Sequence, residues 1–515
     1  MKTPLSLVSR ASRRCTVVFT ALALALPSGP ATAADVVWSA GSGTGFSWSD
    51  FFNWIGDIEP GVDGDVIFPK PIPDPGMLGD PQIISLSIGE LANSLSLFAP
   101  YTLTGGTLAL SSGEVRVTIG NASTIESMLT GAGGLIKSGD GALKLSNGTN
   151  DYTGTTQIDA GSVIITAQSM LGTDTSAVIV TGNTTRSVGG GSLVVGSANN
   201  NLTGLTFTRD LALTGGGASG DGAAFNSVGN NIFTGNIVTG GNVAGLNPIG
   251  GTAITASGTR LASTFGTTTL NGALTVDPSG QATEFTGNGN WIVDSSIDGA
   301  GGLIKTGAGL LVLSGNNTFG GVLQLTTGFV RVSSQANLGA SLANNAIFLT
   351  NGGKIEFRTD TPDFTTSKRV QLNTGTTTGT LYLDREIGGS GLNQTVNLGL
   401  FTLGTSTSTR TLNIDGRNGY NLQFNGNMAT AGHGSFTVNN TGNGLFTNSG
   451  NFWSTNRTTA STLTFGNNGD FLITGGIIAT GAAHVVTKTG TGTLTLNGTN
   501  SSFSGTLNVN GGTVA

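Results

Sequence analysis

An all-β fold, a right-handed parallel β-helix (β-solenoid) behind an irregular aromatic- and proline-rich N-terminal cap, is what this sequence predicts, on three observations. Glycine fills 85 of 515 positions while charged residues make up only 10%. Apolar and polar residues alternate in short runs broken by Gly, Asn and Thr. One segment recurs three times with little change. Glycine at this density disfavours helices, and the scarcity of charge leaves few ion pairs at helical spacing. With 13 prolines and no Gly-X-Y period the chain is not collagen-like, and 37% hydrophobic residues are too many for simple disorder.

The chain opens as an export signal. Lys2, Arg10, Arg13 and Arg14 precede an apolar run from Cys15 to Leu26, and Pro27 to Ala34 closes on small residues. This order of basic, apolar and small residues predicts a secretory leader over 1–34, cleaved after Ala33 or Ala34. Ser12-Arg13-Arg14 fits twin-arginine export poorly, because Thr16 stands where an apolar residue is expected. Removing the leader's four cations takes the formal charge from −6 to −10, which disfavours duplex nucleic acid and anionic lipid as partners. Cys15 is the chain's one cysteine, so the mature protein can form neither a disulfide nor a thiolate metal site. No later stretch is long and apolar enough for a transmembrane helix.

A cap segment is expected next, over 35–84. Pro60, Pro69, Pro71, Pro73, Pro75 and Pro81 crowd it, whereas only Pro248, Pro278 and Pro362 follow Pro100. Because proline removes a ladder donor, residues 56–84 read as irregular and the remainder, 85–515, as regular sheet.

The repeats then define the fold. GAGGLIKSGDGALKLSNGTNDYTGTTQIDAGSVII starts at Gly131 and GAGGLIKTGAGLLVLSGNNTFGGVLQLTTGFVRV at Gly299, while VVTKTGTGTLTLNGTNSSFSGTLNVNGGTVA ends at Ala515. They span about 129–166, 297–334 and 482–515. Anchored on Lys137, Lys305 and Lys488, the copies align Gly141, Gly309 and Gly492 and then the pairs Leu143/Leu145, Leu311/Leu313 and Leu494/Leu496. Tyr152, Phe319 and Phe503 follow, each with a glycine two residues on: Gly154, Gly321 and Gly505. The second copy lacks one residue in the polar loop before its aromatic. Gln168 with Leu171-Gly172 matches Gln335 with Leu338-Gly339, so the duplicated module is larger, roughly 170 residues. Period-two apolar residues put the leucines on an inward face. Three short strands per 20 to 25 residues suit one solenoid coil, so the mature chain should build about 15 to 20 coils in a rod roughly 70 to 95 Å long.

The pattern GGLxKxGxGxLxLSGxNxYxGxTxVxxGxLxV resembles the autotransporter-associated β-strand repeat, also called the passenger-associated transport repeat. The opening around Trp38, Trp48, Trp54, Pro60 and Asp65 is similar to that of large exported bacterial proteins carrying such repeats. The third copy departs from the pattern, with His484 and Val485 in place of Gly133 and Gly134. The resemblance implies a passenger-like β-helix, secreted or displayed on the surface of a Gram-negative-type bacterium, whose repeats aid folding after translocation.

Candidate sites are few. His433 and His484 are far apart, no Ser/His/Asp set or HExxH motif occurs, and His484 reads as a turn variant. Asp63-Gly64-Asp65 reads as a turn rather than a calcium loop. Trp38, Trp48 and Trp54 with Phe51 and Phe52 could stack on sugars but suit the covering of a first coil better. Tyr152, Phe319 and Phe503 read as packing residues, and the three lysines as residues of a solvated turn. Gly189 to Ser192 lacks the context of a phosphate loop. Carboxylates from different coils could still meet as a glycosidase pair.

No catalytic, metal or cofactor residue is therefore assigned. The expectation is a structural or adhesive surface protein meeting extracellular glycans or surface proteins. The alternatives are a polysaccharide lyase or glycosidase on a β-helix, or a non-catalytic glycan-binding module. An enzyme should gather charged residues in one outward groove, whereas a stalk should spread them. The final strand stops at Val514 and Ala515, although the aligned strands continue past Val163 and Val330 to Ile165 and Val332. The chain is thus expected to be a fragment with any outer-membrane barrel outside it, or to be exported by another route.

Overall fold

A computed structural model of the chain describes residues 34–515 except 42–44, 71–81, 119, 121, 183–189, 197–203, 218–223, 241–257, 342–345, 361–363, 373–377, 404–408, 429–434, 453–459, 480–483 and 499–501. The leader lies outside the described residues apart from Ala34, as do His433 and Gly189. The described strands stack in parallel in four long sheets. The first sheet has 12 strands, from Ala34–Val37 to Ile297–Asp298, and the second has 14, from Gln82–Ser85 to Phe401–Leu403. A third has 13, from Thr206–Phe207 to Thr506–Val509, and a fourth has seven, from Phe364–Thr365 to Thr513–Val514. A two-stranded sheet joins Ile478–Ala479 to Ser502–Phe503. The chain is a parallel β-solenoid. At about 4.8 Å per strand the second sheet alone extends over roughly 60 Å.

Period-two patterning builds this fold directly. In Leu310–Leu313 and Phe329–Val332 the second and fourth residues are buried, and the others face outward. Leu143 pairs with Val163 and Leu311 with Val330, 20 and 19 residues on. The residue absent from the second copy therefore shortens one coil without moving its ladder. A single apolar core runs from Trp38 to Leu494. Each coil gives its backbone N–H and C=O groups to the coils beside it and its inward side chains to the core, so the rod is held together without cross-links.

Pro71, Pro73, Pro75 and Pro81 lie outside the described residues, and on either side of them the segment 56–84 contains strands. Gly64–Phe68 and Gln82–Ser85 are strands, the former pairing with Ala34–Val37 and with Glu90–Leu97. Pro60 and Pro69 flank Gly64–Phe68 and leave its donors intact.

The repeat unit moves around the rod. The four strands of the first copy alternate between the first and second sheets, and those of the second copy between the second and third. The third copy places His484–Lys488 and Thr506–Val509 in the third sheet and Thr493–Leu496 and Thr513–Val514 in the fourth. Each copy is thus advanced by one face. The fourth sheet continues the column of the first: Thr318 N–H donates to Ile297 O, Ala340 N–H to Phe319 O, and Lys368 Nζ to Ala340 O. In the second copy that column is loop rather than strand.

Candidate functional site

The three repeat lysines lie in the interior, which corrects the expectation of a solvated turn: Lys137, Lys305 and Lys488 are each 0% exposed. Their strands point them inward, and each ammonium finds the carbonyls of the turn that follows. Lys137 Nζ donates to Ser138 O at 2.8 Å, Gly139 O at 2.6 Å and, across to the next coil, Ala160 O at 3.0 Å. Lys305 Nζ donates to Thr306 O at 2.5 Å and Gly307 O at 2.9 Å, and Lys488 Nζ to Thr489 O at 2.5 Å and Gly490 O at 3.4 Å. A glycine of the following coil closes each cage. Gly161, Gly328 and Gly512 have φ of +66°, +70° and +70°, and a β-carbon at Gly328 would lie 2.5 Å from Gly307 O and 3.0 Å from Lys305 Nζ. Lysine is used here because its ammonium has three donors and a stem long enough to cross the core edge. Burial pushes Lys137 and Lys305 down to about 8, against the opposing pull of Asp140 and Glu284 respectively.

The remaining repeat positions pack around this clamp. Leu143, Leu145, Leu311, Leu313 and Leu494 are buried, and Leu496 is half-buried in one of the last coils of the chain. Gly141, Gly309 and Gly492 are buried where coils touch, and side chains at Gly309 and Gly492 would run into the Gly289 and Gly469 carbonyls. Tyr152 and Phe319 are buried and Phe503 is half-buried. Tyr152 and Phe319 lie against Gly172 and Gly339 of the next coil, with room for no β-carbon between. Gly154 and Gly321 abut the backbones of Gly134 and Gly302, and Gly505 that of His484.

Sequence reasoning missed the two asparagines that tie three coils together. Asn150 Oδ1 accepts Leu129 N–H at 2.8 Å and its Nδ2 donates to Met170 O at 2.7 Å. Asn317 does the same between Ile297 N–H and Asn337 O, at 2.8 and 2.7 Å. Their common spacing, two residues before the aromatic, was the available signal.

The other candidates separate cleanly. His484 begins a strand rather than occupying a turn, and its buried Nδ1 lies 3.2 Å from Ser461 Oγ. Asp63 is in a turn, but Asp65 is in the strand and accepts Asn93 Nδ2 at 2.8 Å and Ser94 Oγ at 2.7 Å. Trp38, Trp48 and Trp54 are buried against one another and Phe68, so they offer no ring face to a sugar. Phe51 and Phe52 are exposed. Gly191–Gly196 is a strand. Among the described residues no three His, Cys, Asp or Glu side chains converge as a metal site. Glu59 and Glu90 share a hydrogen bond, and burial together with that bond and the Glu90 charge raises Glu59 to about 7. A pair in direct hydrogen-bond contact is closer than the about 5 to 9 Å that glycosidase carboxyls need.

Charge concentrates in one outward strip. On the third sheet, register stacks Val312, Arg331, Glu356, Tyr382 and Asp415 on successive coils. Arg331 Nε meets Glu356 Oε2 at 2.7 Å, Arg358 Nε meets the same oxygen at 3.3 Å, and Arg358 Nη1 meets Asp384 Oδ2 at 3.3 Å. Arg358 and Arg417 each lie 5.0 Å from the Tyr382 ring centre. Burial pushes the Asp384 carboxyl up, but hydrogen bonds from Asn418, the Arg385 amide and Tyr382, with the Arg358 charge, hold it below the usual carboxylate range. Glu356 and Asp384 serve here as ion-pair partners and hydrogen-bond acceptors.

The fold and its recurring lysine clamp define a parallel β-solenoid built around a two-coil repeat. A family profile described as passenger-associated-transport-repeat matches residues 135–165, 303–332 and 486–515, the stretches that form the three clamps. The chain is similar to the adhesin BmaC autotransporter of Brucella suis biovar 1 (strain 1330), with 45% identity over 67 residues. That alignment covers 13% of this chain and 2% of the adhesin. The chain thus carries three passenger-associated transport repeats and spans a small part of the length of the adhesin it resembles.

Proposed function

We propose that this chain is the exported, passenger-like rod of a surface protein, with a structural and adhesive role and no catalytic turnover. The carrying observation is that all three transport repeats are coils of one continuous solenoid core. A rod of this kind separates its far end from the cell envelope, and each repeat closes a cage only when its second coil is laid on the first. In this reading residues 1–34 are the removed leader, 35–84 cover the first coil with the Trp38, Trp48 and Trp54 cluster, and 85–515 form the rod. Its place is the cell surface or medium of a Gram-negative-type bacterium, and its partners are extracellular glycans or surface proteins.

Enzyme action on polysaccharide is the second reading, favoured by the gathering of charge along the Arg331 to Arg417 strip. Against it, Glu356 is held between two arginines, and Asp384, kept ionised by its hydrogen bonds and the Arg358 charge, is not a general acid. The test displays the chain on a non-adherent bacterium and measures attachment to cells and matrix glycans, with product analysis of the same glycans. Attachment without cleavage is expected. Absence of attachment, or release of oligosaccharide that a single Asp or Glu substitution abolishes, would reject the proposal.

A further inference from the structure

Beside the charged strip lies a cavity of about 220 Å³ on the outer side of the third sheet. Its floor is the outward edge of Leu310–Leu313 and Phe329–Val332, and its walls carry Arg331, Arg358, Ser314 and Ser333. Glu386 and Ile387 reach it from the loop after Thr378–Asp384. That loop is held in place: Asp360 accepts the amides of Glu386, Ser390 and Gly391 at 3.1, 2.8 and 3.2 Å.

The chemistry of the walls selects a ligand. Arg331 and Arg358 share Glu356 and Arg358 also meets Asp384, so two cations face two carboxylates, and Glu386 adds a third at the rim, which leaves neither an anion nor a cation an unopposed field. The guanidinium groups are partly open, with side-chain exposures of 22% and 19%; Arg331 uses only its Nε on Glu356 and keeps its Nη donors, whereas Arg358 spends most of its donors on Glu356, Asp384, Arg385 O and Tyr382 Oη. Ser314 and Ser333 add hydroxyls, while Val312 and Ile387, the latter 74% exposed, supply apolar surface. Paired charges, hydroxyls and a small apolar wall match the hydroxyl edge and C–H face of a pyranose ring. The volume is below the about 300–1,000 Å³ of drug-sized pockets and suits one sugar ring.

We propose that this cavity is a binding subsite for one neutral hexose unit of a glycan chain, without cleavage. The subsite rests on the adhesive reading above and gives it a ligand class. Asp360 is a positioning residue, since it touches the loop and not the sugar.

The test titrates purified mature chain with cellohexaose, maltohexaose and mannohexaose, and with hexagalacturonate as the anionic counterpart, by calorimetry. At least one neutral hexamer should bind saturably, and hexagalacturonate should bind more weakly. Ile387→Asp and Arg331→Gln, both on partly open side chains, should each weaken binding at least about tenfold while the melting temperature stays at the wild-type value. Asp360→Ala should weaken binding similarly, with partial recovery in Asp360→Asn. Failure of all neutral hexamers to bind, tighter binding of the uronate, or binding unchanged in Ile387→Asp and Arg331→Gln would overturn the subsite. The two proposals fail separately. Attachment of displayed wild-type chain that persists in Ile387→Asp sinks the subsite alone, and lost attachment with intact hexamer binding sinks the adhesive reading alone.

Discussion

The repeat coils and the coils between Arg331 and Arg417 use charge in opposite ways. In the repeats a lone cation points inward and is satisfied by backbone carbonyls, as with Lys137 on Ser138, Gly139 and Ala160. Along the outward strip cations and anions alternate between coils and satisfy one another, as with Arg331, Glu356, Arg358 and Asp384. The first arrangement needs no neighbouring charge and can be installed on any face, and the three copies do occupy successive faces. The second depends on which residues register brings together: it starts at Arg331 in the last strand of the second copy and runs on through coils where the sequence shows no repeat. Stability in this rod is periodic, and the candidate chemistry is aperiodic.

That contrast can be strained from the core outward. Leu311 sits in the interior between Trp291 and Val330 of adjacent coils. Leu311→Asp should cost about 4 to 5 kcal/mol by burying an unpaired charge, read as a fall in the urea midpoint. An unchanged midpoint would mean that the inward register is wrong. Gly328→Ala tests the cage lid. It forces a β-carbon onto Gly307 O at φ +70° and should cost about 2 to 3 kcal/mol, whereas Gly320→Ala, where φ is not positive and the nearest atom is at 3.4 Å, should cost well under that.

Lys305→Met leaves Thr306 and Gly307 carbonyls without their donor and should cost about 1 to 2 kcal/mol near pH 7. Its pH signature is more specific. The folded ammonium titrates at about 8 against an ordinary value of 10.5. Between those values the unfolded chain keeps a proton the folded chain has lost, so stability should rise as pH increases from 8 towards 10.5. Denaturation across that window should show a shallower rise in Lys305→Met. An equal slope would place the lysine in solvent.

The smallest effect belongs to the first coils. Glu59, raised to about 7, holds its proton in the folded chain after the unfolded chain has released it near 4.5. Stability should therefore fall as pH rises through that interval, and Glu59→Gln should remove the fall. Because Glu59 is exposed the change is expected to be slight, visible as local hydrogen exchange near Ser87 and Glu90 rather than in global unfolding.

What could be read in advance follows the same division. Alternation placed Leu143 and Leu311 inside because period two is a one-dimensional record of a half-buried strand. The lysines were misread because composition makes lysine a surface residue, and the carbonyls that admit it converge only when two coils stack. His484 was assigned to a turn by alignment with glycine, but that position in the third copy opens a strand of the third sheet. The outward strip was illegible because Arg331, Glu356, Tyr382 and Asp415 are separated by coils of unequal length and meet only through register.

Amine labelling of the folded chain tests the buried clamp most directly. Lys137 is buried and Lys144, seven residues on in the same repeat, is exposed. With a lysine-acylating reagent near pH 7.5 and peptide mass spectrometry, Lys144 should label at the rate of a free side chain. Lys137 and Lys305 should label at least about 100-fold more slowly, because access requires opening a core coil. Labelling of Lys137 and Lys144 at equal rates would contradict the clamp.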